Sequence, residues 1–278
     1  MTDTQWARLS RHSWRLALRW GARLPAHRGA AARLAANRAL VPLDPWRFYE
    51  LGHLVDAPVE GRWLDISSPK LLPSLYRHEG RGEWVCTDLF SAEIDAWRVL
   101  DPDLDLRIED ARSLSFGDGS FDGCLCISVI EHVPDDGDTQ AMAEMWRVLK
   151  PGGIVRLTTN IARRPRVVTI NRAIYGEASE RTDDGAVFFE RHYDDGDLDR
   201  RLLALPWEVV RRDRVRQVNP RIEARYHRLA PASYLLGNAL PLVSARNFAP
   251  VASTDDFADG EMGVVSLELR KPEHPASG

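Results

Sequence analysis

From residue 62 to residue 160 the chain alternates short apolar runs with amphipathic stretches, and this alternation limits the fold more than any other feature. The apolar runs are Arg62 to Ile66, Glu83 to Thr87, Leu104 to Glu109, Phe121 to Val129 and Ile154 to Thr159. The fourth is nearly all apolar, as a strand buried on both faces must be. Lys70 to Arg77, Ser91 to Leu100 and Thr139 to Leu149 lie between the runs and read as helices, with Ser91 as a cap. Strands alternating with helices predict an α/β fold, a doubly wound and mostly parallel sheet.

Open parallel sheets bind ligands beyond the carboxyl ends of their strands. Four of these ends carry acids or polar groups. Asp65-Ile66-Ser67-Ser68-Pro69-Lys70 follows the first, Asp88-Leu89 the second, Asp110-Ala111-Arg112 the third, and Ser128-Val129-Ile130-Glu131-His132 the fourth. Asp88 lies about 20 residues past the acid of the first strand, where a ribose diol is held. Asp110 is placed to accept from an adenine amino group, with the Ala111 N–H donating to the ring. Together these ends predict an adenosine site.

Three segments resemble a known family. Asp110-Ala111-Arg112-Ser113-Leu114-Ser115-Phe116-Gly117-Asp118-Gly119-Ser120-Phe121-Asp122 is similar to the third-to-fourth strand signature of type 11 class I S-adenosylmethionine-dependent methyltransferases. Ile130-Glu131-His132-Val133 and Glu144-Met145-Trp146-Arg147-Val148-Leu149-Lys150-Pro151-Gly152-Gly153 resemble two further motifs of that family. The resemblance implies a Rossmann-like, seven-stranded sheet and S-adenosyl-L-methionine as cofactor. It implies cofactor contacts at Asp65, Ser67, Ser68, Lys70, Asp88, Leu89, Asp110, Ala111, Ser128 and Val129. The chain departs from the family at one point: the glycine-rich loop after the first strand is replaced by Ser67-Ser68-Pro69-Lys70. Either the serine hydroxyls and Lys70 take over, with Lys70 on the cofactor carboxylate, or the fold serves a purpose other than methylation. A non-catalytic partner protein, a cyclase or a decarboxylase would be such a purpose. A nicotinamide dehydrogenase is disfavoured, because it needs a glycine-rich first turn for pyrophosphate.

Candidate catalytic residues are His132 and His192; Tyr49, Arg191, His192 and Tyr193 are expected at the substrate, a small-molecule methyl acceptor. The expected division is a helical lid over 1–60, a methyltransferase domain over 61–270, and a disordered tail from 271. Within that domain, 61–160 is the cofactor half and 161–260 the substrate and cap half. In the cap half, Asp197 to Leu205 reads as a helix, and Trp207 to Asp213 and Gly263 to Arg270 as strands.

Residues 5 to 24 and Ala30 to Leu40 read as helices preceding the core, followed by a short one at Trp46 to Val55. The first bears a stripe of Arg8, Arg11, Arg15, Arg19 and Arg23, so a weak contact with a membrane surface or an acidic partner is expected there. Across the first sixty residues Trp6, Trp14, Trp20 and Trp46 are too many large apolar groups to leave exposed, so some of them are expected to dock on the core. Over the whole chain, 37 basic residues face 41 acidic ones, a net charge of −4, which argues against nucleic acid as partner. Cys86, Cys124 and Cys126 lack disulfide or metal spacing and read as buried packing residues. No metal site is expected. No signal peptide or spanning run is evident, so the cytoplasm is the expected compartment.

Overall fold

The structure is a computed structural model, and it describes residues 3–23, 34–35, 45–171, 186–222, 228 and 247–273. The helix expected over Ala30 to Leu40 falls almost wholly outside them. The chain divides into two compact units. One comprises Met1–Gly61, Pro69–Ile108 and Gln217–Ala249; the other comprises Arg62–Ser68, Glu109–Arg216 and Pro250–Gly278. The described N-terminal helices share a unit with 69–108.

In the first unit, α1 (Asp3–Arg23) and α2 (Pro45–Gly52) precede α3 (Leu71–His78), and α4 (Ser91–Leu100) follows it. Strands β2 (Glu83–Asp88) and β3 (Asp105–Ile108) pair in parallel. Tyr76 stacks on Trp84 with ring centroids 5.5 Å apart, and its hydroxyl donates to the Leu54 carbonyl. Phe90, not Ser91, holds the cap position of α4, and no side chain caps the helix there.

In the second unit, β1 (Arg62–Ile66), β4 (Phe121–Ile127) and β5 (Leu149–Ala162) run parallel. β10 (Met262–Arg270) lies antiparallel to β5, and β8 (Glu208–Gln217) antiparallel to β10. Trp63 on β1 faces Gly123 on β4, where any side chain would strike the indole, since a Cβ would come within 2.5 Å of it. The Arg156 guanidinium lies 4.9 Å from the centre of the Trp63 indole and pairs with Glu268 at 2.8 Å. Helix α5 (Gly137–Val148) buries Ala141, Met142, Met145 and Val148.

The main sheet has eight strands, not seven, the addition being β9 (Phe248–Val251). β5 runs several residues beyond the apolar core of Ile154 to Thr159, because β10 pairs with it as far as Ala162. β6 (Arg166–Ile170) and β7 (Val187–His192) form a separate antiparallel pair within the stretch expected to be the substrate and cap half. The helix expected over Asp197 to Leu205 is a short turn, Asp195–Asp197, running into a π-helical turn, Leu198–Leu202. Lys271 docks, its ammonium donating to the Trp146 and Leu149 carbonyls, each at 2.8 Å, so the tail is ordered at its first residue. All three cysteines are free and buried, and burial pushes the Cys124 and Cys126 thiols up. No helix among the described residues is long and apolar enough to cross a membrane.

Candidate active site

In the second unit the candidate residues gather at the carboxyl ends of β1, β4 and β5. Asp65 is fully buried on β1. Ser67, the residue after β1, has φ 50, and Ser128, the residue after β4, has φ 54. Both lie in the left-handed region that favours glycine, at a cost to other residues of about 1–2 kcal/mol. Ser68 is buried and braces the two strands: its hydroxyl accepts from the Ile127 N–H at 2.8 Å and lies 3.3 Å from the Leu125 carbonyl. That hydroxyl, expected to donate to a ligand, is engaged within the protein.

Glu131 is fully buried in the 3-10 turn after β4. It accepts from the Ser128 hydroxyl at 3.0 Å and the Thr159 hydroxyl at 3.1 Å. Val129 begins that turn, its carbonyl accepting from the His132 N–H at 2.9 Å. His132 is half-buried, and its Nδ1 meets the Phe189 carbonyl at 2.7 Å. A carbonyl only accepts, so the ring proton sits on Nδ1 and proton acceptance falls to Nε2. Asp110, expected at adenine, receives the Arg112 backbone N–H at 2.9 Å and its guanidinium at 2.8–3.1 Å. These donors hold its carboxyl below the usual range. Ala111 beside it is half-buried.

In the first unit the end of β2 holds a buried ion pair. Lys70, 1 % exposed, places Nζ 3.2 Å from Asp88 Oδ2, and Asp88 is 5 % exposed. Asp88 Oδ1 accepts the Phe90 N–H at 3.0 Å. Burial pushes the Asp88 carboxyl up despite the lysine. Lys70 thus meets the acid expected to hold ribose. Leu89 is exposed. Tyr49 is half-buried on α2, 5.6 Å from Phe248, and Trp46 packs on the same ring at 4.9 Å.

Three expected substrate or catalytic residues have structural employment. His192 is buried; Arg166 Nε donates to its Nδ1 at 3.0 Å, so its Nε2–H donates to Glu190 at 2.7 Å. Both ring nitrogens are thus engaged within the protein. Tyr193 is fully buried, donates to Asp138 Oδ2 at 2.9 Å, and makes a bridge to Ile161. Arg191 donates to the Asp135 carbonyl at 2.8 Å and stands 3.6 Å from Asp138. Asp138, fully buried, also takes the Arg201 fork at 2.7 and 2.8 Å. Sequence reasoning missed this hub, because Asp138 sits in the polar run Asp135-Asp136-Gly137-Asp138.

It missed a second buried centre in the first unit. His12 Nε2 lies 2.7 Å from Ser74 Oγ, and Ser74 donates to Asp101 at 2.5 Å. Ser74 has one proton, given to Asp101, so His12 Nε2 carries the proton of that contact. Burial first, then His78, Arg15 and Arg19, push the imidazole down to about 4. This contact docks α1, as do Arg8 on Asp56 and Glu79, and Leu9 and Leu16 are buried. Trp14 is exposed, and the Trp6 and Trp20 side chains lie outside the described residues.

Comparison with known proteins bears on these strand ends. Residues 67–157 match a family model described as a methyltransferase domain. Among solved structures, a chain from the complex between the Haloferax volcanii Trm112 methyltransferase activator and a methyltransferase candidate is similar at 17 % identity and TM-score 0.54, over 87 % of this chain and 96 % of that one. A SAM-dependent methyltransferase of Methanosarcina mazei matches at 20 % identity and TM-score 0.46, over 84 % of this chain and 99 % of that one. The cyclase SpnF matches at 21 % identity and TM-score 0.46, over 78 % and 77 %. The first of these likenesses speaks for the fold. Residues 67–157 of this chain thus resemble a methyltransferase domain.

Proposed function

We propose that this protein binds S-adenosylmethionine and transfers its methyl group to a small-molecule acceptor. The observation that carries the reading is the backbone at Ser67. At φ 50 it keeps the conformation for which glycine is the ordinary residue, although the loop has no glycine. Backbone strain of this kind persists where the surroundings enforce it, and it clusters at functional sites.

The strand-end acids support an adenosine reading. Each carboxylate oxygen has two acceptor positions, so Asp88 retains capacity for a diol beside the Lys70 and Phe90 donors. Lys70 would then keep Asp88 ionised, a different task from holding the cofactor's carboxylate. Asp110 and Ala111 would face the base, with Ser67, Ser128 and Val129 lining the loop ends. The bound cofactor supplies an electrophilic methyl on a sulfonium. The protein's share is to align the acceptor and exclude water. Where the acceptor must lose a proton, His132 Nε2 would take it, held in orientation by the Phe189 carbonyl. Free, buried cysteines suit a reducing compartment, and we place the protein in the cytoplasm.

A second reading, a protein of this fold that does not methylate, draws on the same ion pair, since Lys70 neutralises Asp88 internally. Thermal denaturation with S-adenosylhomocysteine tests the proposal. A rise in melting temperature that saturates with ligand is expected, and none with NADH. No rise at millimolar S-adenosylhomocysteine would favour the second reading.

A further inference from the structure

We infer that the outward face of α1 is a contact surface for anionic lipid headgroups. The helix has two unlike faces. Leu9, His12, Ser13 and Leu16 are buried, and Arg8 at the border is tied to Asp56 and Glu79. The opposite face presents Arg11, Trp14, Arg15, Leu18 and Arg19, all exposed. Leu18, at 71 %, is the most exposed large apolar side chain among the described residues, and Trp14, at 44 %, is the exposed tryptophan among them. Standing four residues apart, the two are neighbours on the helix surface.

The arginines of this face differ from Arg8. Among the described residues Arg11 and Arg19 meet no carboxylate, and Arg15 meets the ring of His78 at 3.0 Å. Three such cations on one face run against a chain whose net charge is −4. An apolar wedge of one tryptophan and one leucine beside a row of arginines matches a helix lying in the headgroup layer, with the apolar pair in the acyl boundary and the guanidiniums on phosphates. A protein partner fits less well, since two apolar side chains fall far short of the ~800 Å² that a specific interface buries on each side. Because the inner face is docked, the contact needs no folding or release of the helix.

Co-sedimentation of the full chain with phosphatidylglycerol–phosphatidylcholine vesicles, against phosphatidylcholine alone, tests this. Binding to the anionic vesicles that weakens with salt is expected. The triple variant Arg11→Gln, Arg15→Gln, Arg19→Gln should lose about a hundredfold in affinity, the scale for three basic residues near such a surface. Trp14→Ser with Leu18→Ser should weaken binding too, with far-UV circular dichroism unchanged. Absence of binding at low salt, or equal binding by wild type and both variants, overturns the inference. So does equal, variant-sensitive retention on polyglutamate, which would assign the face to acidic polypeptides.

Discussion

The two units handle buried charge differently. In the first, among the described residues, Asp88 meets Lys70 and one backbone N–H, and His12 meets one hydroxyl. In the second, Asp138 gathers Tyr193, both arms of Arg201 and the Thr139 N–H. Sparse partnering makes a group sensitive to a single substitution or to pH, whereas redundant partnering spreads the loss. The candidate ribose acid lies in the sparse region, where burial pushes its carboxyl up and Lys70 opposes that.

The largest expected difference follows from Lys70. Lys70→Met leaves Asp88 buried without its counter-charge and should lower stability by about 3–5 kcal/mol in urea unfolding. A loss under 1 kcal/mol would show that Asp88 is solvated or already neutral, and the contrast between the units would fail.

Acid should expose the same sparseness at His12. Its folded pKa, about 4, lies below the ordinary histidine value of 6.5, so the neutral ring is the one folding favours. The stability it contributes is complete above pH 6.5 and is lost as pH falls toward 4. The loss over that window is on the order of 3 kcal/mol, and His12→Gln should flatten the slope. An unchanged slope in that variant would place the proton uptake elsewhere.

Redundancy predicts a smaller effect at Asp138. Tyr193→Phe removes one of several donors and should cost about 1 kcal/mol. A loss as large as that of Lys70→Met would erase the distinction.

The smallest effect has the opposite sign. Ser67→Gly should raise stability by about 0.5–1 kcal/mol, the left-handed penalty less the entropy that glycine carries. A decrease would mean that the Ser67 hydroxyl outweighs the backbone strain.

The pattern of legibility follows the same physics. β1, β2, β4 and α4 were readable because buried strands and amphipathic helices leave periodic apolar runs. β6, β7 and β9 were not, since half-exposed strands such as Arg166–Ile170 mix charged and apolar residues without a clean alternation. The acids at strand ends were visible by position. Their surroundings were not: nothing in the sequence tells that Lys70 is buried while Arg112 lies at the surface. His192 and Tyr193 looked like pocket residues because polar aromatics often are. Their employment depends on Arg166 and Asp138, which are 26 and 55 residues away.

We propose that Asp88, in its ion pair, still receives the cofactor's ribose. Calorimetric titration of S-adenosylhomocysteine into wild type and Asp88→Ala, each checked for folding, tests it most directly. Measurable binding by wild type is expected, with a loss of about 1.5–3 kcal/mol, roughly ten- to hundredfold, in the variant. Equal dissociation constants for the two proteins, or no binding by the folded wild type, would contradict it.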